Sequence, residues 1–366
     1  MSRKKILVSI GTRPNFIKIT QFRRIAAKYA DQIELRILHT GQHFDNKMSK
    51  VFFEQFDMQP DYIIDLDARE PAKQIGEIIS KIAGICEEYQ PDLLMTPGDV
   101  NSTLAAAITA NKMNIPLVHI ESGLRSLDRE MPEEINRILT DEISDFLLIT
   151  EQSGIDNLRE AGVDESKLFH VGNTMIDTIV AFTEKIDAST VLDQHSLSGK
   201  DYVLMTMHRP SNVDHEEGLK KLIQTISIIS ERLKILFPIH PRTLKKANEF
   251  GLEEELRSYD QLILLEPLDY FSFQKLTKNA AFVVTDSGGI QEETTFYQIP
   301  CLTLRKNTER PSTIDVGTNE LIEFEPAIVA EKMTEILEGR FKQGQVPELW
   351  DGKATERIFE MLVKRL

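Results

Sequence analysis

Lys5-Ile-Leu-Val-Ser-Ile-Gly-Thr-Arg-Pro-Asn-Phe-Ile-Lys18 joins a short apolar, β-branched run to a glycine and then to a proline placed to open a helix. Gly11 and Arg13 cut the run well short of a signal-peptide core, so it reads as a first β-strand. The same strand-then-helix alternation recurs along the chain. Lys5 to Ile10, Glu34 to His39, Asp92 to Thr96, Leu117 to Ile120 and Phe146 to Ile149 form one series. Tyr202 to Met207, Lys234 to Pro238, Leu262 to Leu265, Phe282 to Thr285 and Cys301 to Leu304 form a second. Parallel βαβ units of the α/β class follow, in two Rossmann-like domains. Val171-Gly-Asn-Thr-Met175 is the turn signal between the series, which puts the boundary near Gly172. The domains expected are 1–172 and 173–352. Asp187 to Lys200 reads as a polar surface connection, and 353–366 as a helix whose stripe of Ile358, Met361 and Leu362 packs back on the first domain.

A length of 366 residues suits two domains with separate cores, and a cleft between them is the default place for a ligand. The formal charge of −15 repels phosphate backbones and anionic membrane surfaces, which argues against nucleic acid or membrane as partner. Only Cys86 and Cys301 occur, too few for a disulfide framework or a cysteine-based zinc site. No apolar stretch approaches the roughly 20 residues that cross a bilayer. A cytoplasmic protein is expected.

In parallel sheets ligands sit beyond the carboxyl ends of strands, so residues just after each strand carry the functional signal. After the first strand, Arg13 and Lys18 stay near the positive end of a helix, which suits an anion or, equally, two solvated cations. Pro97-Gly-Asp-Val-Asn-Ser-Thr103 places Asp99 ahead of a small-residue helix, too early for capping to explain it easily. Glu121 leaves a strand into a glycine turn, with an ion pair to Arg125 as the structural rival. In Met131-Pro-Glu-Glu-Ile-Asn-Arg137 the acids suit a helix start, and Arg137 lies four residues from Glu133, placed to orient it. His208 and His240 each follow a strand of the second series. Thr285-Asp-Ser-Gly-Gly-Ile-Gln-Glu-Glu293 ends a strand, lets a ligand approach the backbone at two glycines and opens a helix, the physics of a phosphate cradle. Glu293 lies one turn on, suited to ribose hydroxyls. The chain has no G-x-G-x-x-G after its strands, no G-x-x-x-x-G-K-[ST] and no H-E-x-x-H, so no dinucleotide cofactor and no metal are expected.

With GTRPNFIK, TGQH, GDVNST, HIESGLRS, PEEINR, MHRPSN, HP, TDSGGIQEE and TERP in one order, the chain resembles the non-hydrolysing UDP-N-acetylglucosamine 2-epimerases over nearly its whole length. The resemblance implies a glycosyltransferase-B type fold, two Rossmann-like domains facing across a cleft. It implies reversible conversion of UDP-GlcNAc to UDP-ManNAc without a cofactor, by elimination of UDP to 2-acetamidoglucal and re-addition, in a homodimer. Asp99, Glu121, Glu133 and His208 match the family's catalytic acid/base positions and Arg137 its supporting arginine. Ser287, Gly288, Gly289 and Glu293 match its UDP-binding loop, and Phe271 falls where uracil is held. Arg13, Lys18, Ser287 to Gly289 and Arg310 are suited to the charge building on the departing diphosphate. Some bacterial members bind a second UDP-GlcNAc as activator, and Gln42, His43, Arg209 and His240 lie in the matching stretches. Departures are Asn15, where many relatives carry Glu, and Pro210-Ser211, where they carry Arg-Glu. The rivals are a hydrolysing epimerase releasing ManNAc, a glycosyltransferase of the same fold and a catalytically dead sugar-nucleotide sensor.

Overall fold

Strand β1 (Lys4–Ile10) is buried from Ile6 onward, as a central parallel strand covered on both faces must be. The computed structural model describes residues 3–42 and 53–366. His43 lies outside them.

Around β1 a parallel sheet assembles from β2 (Ile33–His39), β3 (Tyr62–Ile63), β4 (Leu93–Pro97), β5 (Leu117–Ser122), β6 (Phe146–Ile149) and β7 (Leu168–His170). A second parallel sheet holds β8 (Tyr202–Thr206), β9 (Lys234–Pro238), β10 (Leu262–Leu265), β11 (Phe282–Thr285), β12 (Cys301–Leu304) and β13 (Asn319–Ile322). Strand order is β3-β2-β1-β4-β5-β6-β7 in the first and β10-β9-β8-β11-β12-β13 in the second, the doubly wound Rossmann order in both. Each sheet therefore has a switch point, between β1 and β4 and between β8 and β11, where the winding reverses and a crevice opens at the carboxyl ends. All ten strands read from the sequence are present. The additional β3, β7 and β13 have two, three and four residues and only partial burial, which leaves little hydrophobic pattern to read.

One face of the first sheet is covered by helices Pro71–Tyr89 and Asn101–Lys112. Ala105, Ala106, Ala107 and Ala110 of the latter are wholly buried, small enough to bring the helix close over the strands. In the second sheet, one core cluster gathers Met205, Phe237 and Val284 and another Leu204, Leu236 and Val283, the alternation of a strand packed on both faces.

The chain divides into two compact units, Met1–Ala181 with Glu348–Leu366, and Phe182–Pro347. This differs from a boundary near Gly172 and a return at 352. Helix Thr174–Ala181 belongs to the first unit because Thr178 Oγ1 donates to Ile17 O at 2.6 Å and Asp177 accepts the backbone N–H groups of Ala354 and Thr355 at 3.0 and 2.5 Å. Asp177 thereby satisfies orphan donors at the start of helix Ala354–Arg365. Phe359 of that helix is wholly buried against Phe22, and Trp350 Nε1 donates to Thr150 O at 3.0 Å. Gly172, at φ +87°, is a turn inside the first unit: a Cβ there would lie 2.1 Å from Leu349 O.

Candidate functional site

At the first switch point the loop after β1 meets the loop after β4. Asn15 is 2% exposed and bridges them. Its Oδ1 accepts from Gly11 N and Thr12 N, both at 3.3 Å, and its Nδ2 donates to Pro97 O at 3.0 Å. An amide can accept on one side and donate on the other, which a carboxylate cannot. Gly98 follows at φ +74°, and a Cβ there would stand 3.0 Å from both Asn15 Nδ2 and Lys18 Nζ. Next in the chain, Asp99 accepts from Arg137 Nη2, while Arg137 Nη1 reaches Glu134 Oε2 at 2.6 Å.

Glu121, one residue before the end of β5, has φ +69°, where pairing with β6 slips register between Ile120 and Ser122. A left-handed, non-glycine residue in a β-bulge costs backbone energy, and such positions concentrate at functional sites. The side chain is 4% exposed and ion-paired with Lys18 Nζ. Asp99, Glu121, Lys18 and Arg137 thus gather at the ends of the neighbouring strands β4 and β5.

Two expectations and one rival reading differ from the structure. Lys18 is not at the positive end of the helix: it is the last residue of Arg13–Lys18, reaching Glu121, while Arg13 is exposed at the first turn. Arg125 pairs with Asp141 at 2.6 Å and not with Glu121. Arg137 pairs with Glu134, one turn back on helix Pro132–Glu142, and not with Glu133. Glu134 is 1% exposed and also accepts Ser126 N at 2.9 Å and Leu127 N at 3.1 Å, so it fixes the preceding loop. Glu133 is half-buried and makes no hydrogen bond or ion pair among the described residues.

Gln42 is 8% exposed, and its Oε1 accepts Ser102 N at 2.8 Å and Ser102 Oγ at 2.6 Å, tying the loop after β2 to the start of helix Asn101–Lys112.

In the second unit the crossing from β8 to β11 is made by Asp286, fully buried. It accepts His208 N at 3.0 Å, Arg209 N at 2.8 Å and Asn212 Nδ2 at 3.2 Å, and His208 Nδ1 lies 3.0 Å away. Burial pushes its carboxyl up, but His208 and these backbone donors win and hold it below the usual carboxylate range. Arg209 Nε donates back to Asp286 O at 2.9 Å. His240 stacks near His208, ring centroids 5.4 Å apart, and its Nδ1 accepts Arg242 N at 3.1 Å. Partial burial, then His208, lowers its pKa.

Ser287 caps helix Gly288–Tyr297 without a side-chain bond, which leaves its hydroxyl and the helix's first N–H groups available. A Cβ on Gly288 would meet Arg310 Nη1 and Glu309 Oε1, both at 2.9 Å, so glycine lets the arginine reach this helix start. Arg310 Nε lies 2.9 Å from Glu292 Oε2, and Glu309 pairs with both Arg310 and Arg305. Glu293 is 5% exposed in the same helix. Phe271 is half-buried near Phe182, centroids 5.4 Å apart, with Lys185 Nζ 5.5 Å from its ring. Among the described residues no cluster of His, Cys, Asp or Glu is arranged to hold a metal, and no helix is long and apolar enough to cross a membrane.

The family model described as UDP-N-acetylglucosamine 2-epimerase matches residues 26–363. The chain belongs to that family. Among the relatives of this family member, a UDP-N-acetylglucosamine 2-epimerase of Methanocaldococcus jannaschii is 38% identical over 98% of both chains. A UDP-2,3-diacetamido-2,3-dideoxy-D-glucuronate 2-epimerase of Pseudomonas aeruginosa is 35% identical, covering 98% of this chain and 99% of that one. The M. jannaschii UDP-GlcNAc 2-epimerase solved in complex with UDP-GlcNAc and UDP superposes with TM-score 0.89 at 37% identity, over 98% of this chain and 99% of that chain. The fold is of the glycosyltransferase-B type.

Sequence reading left Asn15, Glu134 and Asp286 unassigned. Asp286 had a signal, an acid directly between a strand end and the Ser-Gly-Gly turn. Glu134 had only its neighbour Glu133, and two adjacent acids at a helix start are indistinguishable by dipole alone.

Proposed function

We propose that the protein interconverts UDP-GlcNAc and UDP-ManNAc by eliminating UDP and adding it back to 2-acetamidoglucal. The observation that carries this reading is the pairing of Asp99 with Arg137 and of Glu121 with Lys18 at the ends of adjacent strands. In the forward half, the C2–H bond breaks, its electrons form the C1=C2 bond, and the C1–O bond breaks with its pair leaving on UDP. Returning a proton to the opposite face of C2 needs a second group, so more than one of Asp99, Glu121, Glu133 and His208 takes part. Arg137 orients Asp99 and Lys18 orients Glu121. Arg13, Arg310, Ser287 and the N–H groups at Gly288 and Gly289 stabilise the departing diphosphate, Glu293 accepts ribose hydroxyls and Phe271 holds uracil. Elimination and re-addition transfer no hydride at any step, so this route calls for no redox cofactor. A cytoplasmic homodimer is the form proposed; free, buried Cys86 and Cys301 suit a reducing compartment.

A second reading comes from the P. aeruginosa relative, whose name assigns the same C2 inversion to a diacetamido-glucuronate. Proton NMR in heavy water, with each sugar nucleotide in turn, separates the readings. UDP-ManNAc carrying deuterium at C2 is expected. Free ManNAc would establish the hydrolysing rival, and turnover of the diacetamido sugar alone would establish the second reading. Full retention of the C2 hydrogen in the product would overturn solvent-exchanging elimination.

A further inference from the structure

The first unit also holds a polar network, buried at His119 and Asp141, that the reaction as described does not use. His119, on β5, has no exposed surface. Its Nδ1 lies 2.6 Å from Asp141 Oδ1 and its Nε2 lies 2.7 Å from the carbonyl oxygen of Gly98. A carbonyl oxygen accepts and never donates. Asp141 is committed as an acceptor too: its carboxylate takes Gly123 N at 3.1 Å and Arg125 Nη1 at 2.6 Å. Desolvation pushes that carboxyl up, but His119 and Arg125 outweigh it and hold it below the usual range. Both ring nitrogens of His119 therefore face acceptors, and both must donate for the network to close.

The two acceptors bracket the acids. Gly98 immediately precedes Asp99, and Gly123, held by Asp141, stands two residues after Glu121. Both glycines have left-handed φ, +74° and +80°, so each turn sits in a backbone conformation that its hydrogen bonds must define. Gly98 is also the residue against which Lys18 Nζ rests. One ring thus spans the loop that carries Asp99 and, through Asp141, the turn that carries Glu121.

We propose that His119 is a positioning residue, held as a buried imidazolium that donates through both nitrogens and fixes the separation of the Asp99 and Glu121 turns. The charged groups around it are Asp141 and Arg125 in direct contact or one bond away, and the pairs Lys18–Glu121 and Asp99–Arg137 beyond them. The positioning role rests on the epimerase reading above; the proton count does not.

The test has two arms. In protein labelled with 15N at its eight histidines, NMR at the pH of the activity assay should show one ring with both N–H protons protected from solvent exchange. A buried ring with a single N–H overturns the imidazolium. In the second arm, His119→Gln and Asp141→Asn should each lower kcat by about 100-fold, the usual effect of displacing reacting groups by about 1 Å, with KM and UDP affinity unchanged. Unchanged kcat in a folded variant overturns the positioning role. Wild-type protein that epimerises neither sugar nucleotide defeats the functional reading instead, and leaves the first arm to decide the protonation state. If both variants fail to fold, a single buried N–H in the wild type still overturns the proposal and two still support it.

Discussion

The two switch points share one strand order and differ in what fills them. At β1 and β4 the crossing is an amide, Asn15, and the groups beside it are charges already paired: Asp99 with Arg137, Glu121 with Lys18. At β8 and β11 it is a carboxylate, Asp286, which collects backbone N–H groups from His208 and Arg209, and the helix that follows begins with its own N–H groups uncapped. The first arrangement suits moving protons, since it sets carboxylates at strand ends and each is oriented by the cation it pairs with. The second suits holding an anion, since its donors are aligned before any ligand arrives. Identical topology therefore decides where chemistry can happen, and the side chains at the strand ends decide which chemistry.

By that division, Glu121→Gln should cost turnover and spare binding. Its kcat should fall on the order of 100- to 10,000-fold, while calorimetry finds UDP bound as tightly as before. Equal losses in both quantities would break the comparison, because Glu121 would then hold the nucleotide as well as move a proton.

The converse variant is Glu293→Ala. Loss of charge-assisted bonds to ribose hydroxyls should weaken UDP binding by about 1.5 to 3 kcal/mol, with a smaller change in kcat at saturating substrate. Unaltered UDP affinity removes Glu293 from the nucleotide site.

The smallest expected effect concerns acid. His39 ends β2, next to the first switch point, and burial lowers its pKa to about 4. The unfolded chain then binds more protons than the folded one between about 4 and the ordinary value near 6.5, so stability is complete above that window and falls as pH drops through it. Urea titrations should find the first unit about 2 kcal/mol less stable at about pH 5 than at about pH 7. His39→Gln should remove most of that difference; if the slope persists, other groups set the acid sensitivity.

Local signals were legible and long-range ones were not. Thr285 to Glu293 and Pro97 to Thr103 read correctly as strand-to-helix turns because the glycines, the strand end and the helix start are adjacent in the chain. The partner of Arg137 read wrongly because Glu133 and Glu134 are equally plausible on a helix; the choice depends on Ser126 and Leu127, whose N–H groups draw Glu134 inward. The pair Lys18–Glu121 joins the last residue of helix Arg13–Lys18 to strand β5, far apart in the chain, so no sequence window contains it.

By itself the sequence determined the α/β class, two Rossmann-like halves, and the strand ends at which Asp99, Glu121, His208 and Ser287 stand. These follow from hydrophobic periodicity and from glycine and proline placement, which act over a few residues. Only the tertiary structure decided which cation meets which acid, that Thr174–Ala181 and the tail from Glu348 belong to the first unit, and that His119 spans Gly98 and Asp141. Those outcomes depend on which buried donors and acceptors must satisfy one another once the sheets have formed, and burial is a property of the fold rather than of any stretch of chain.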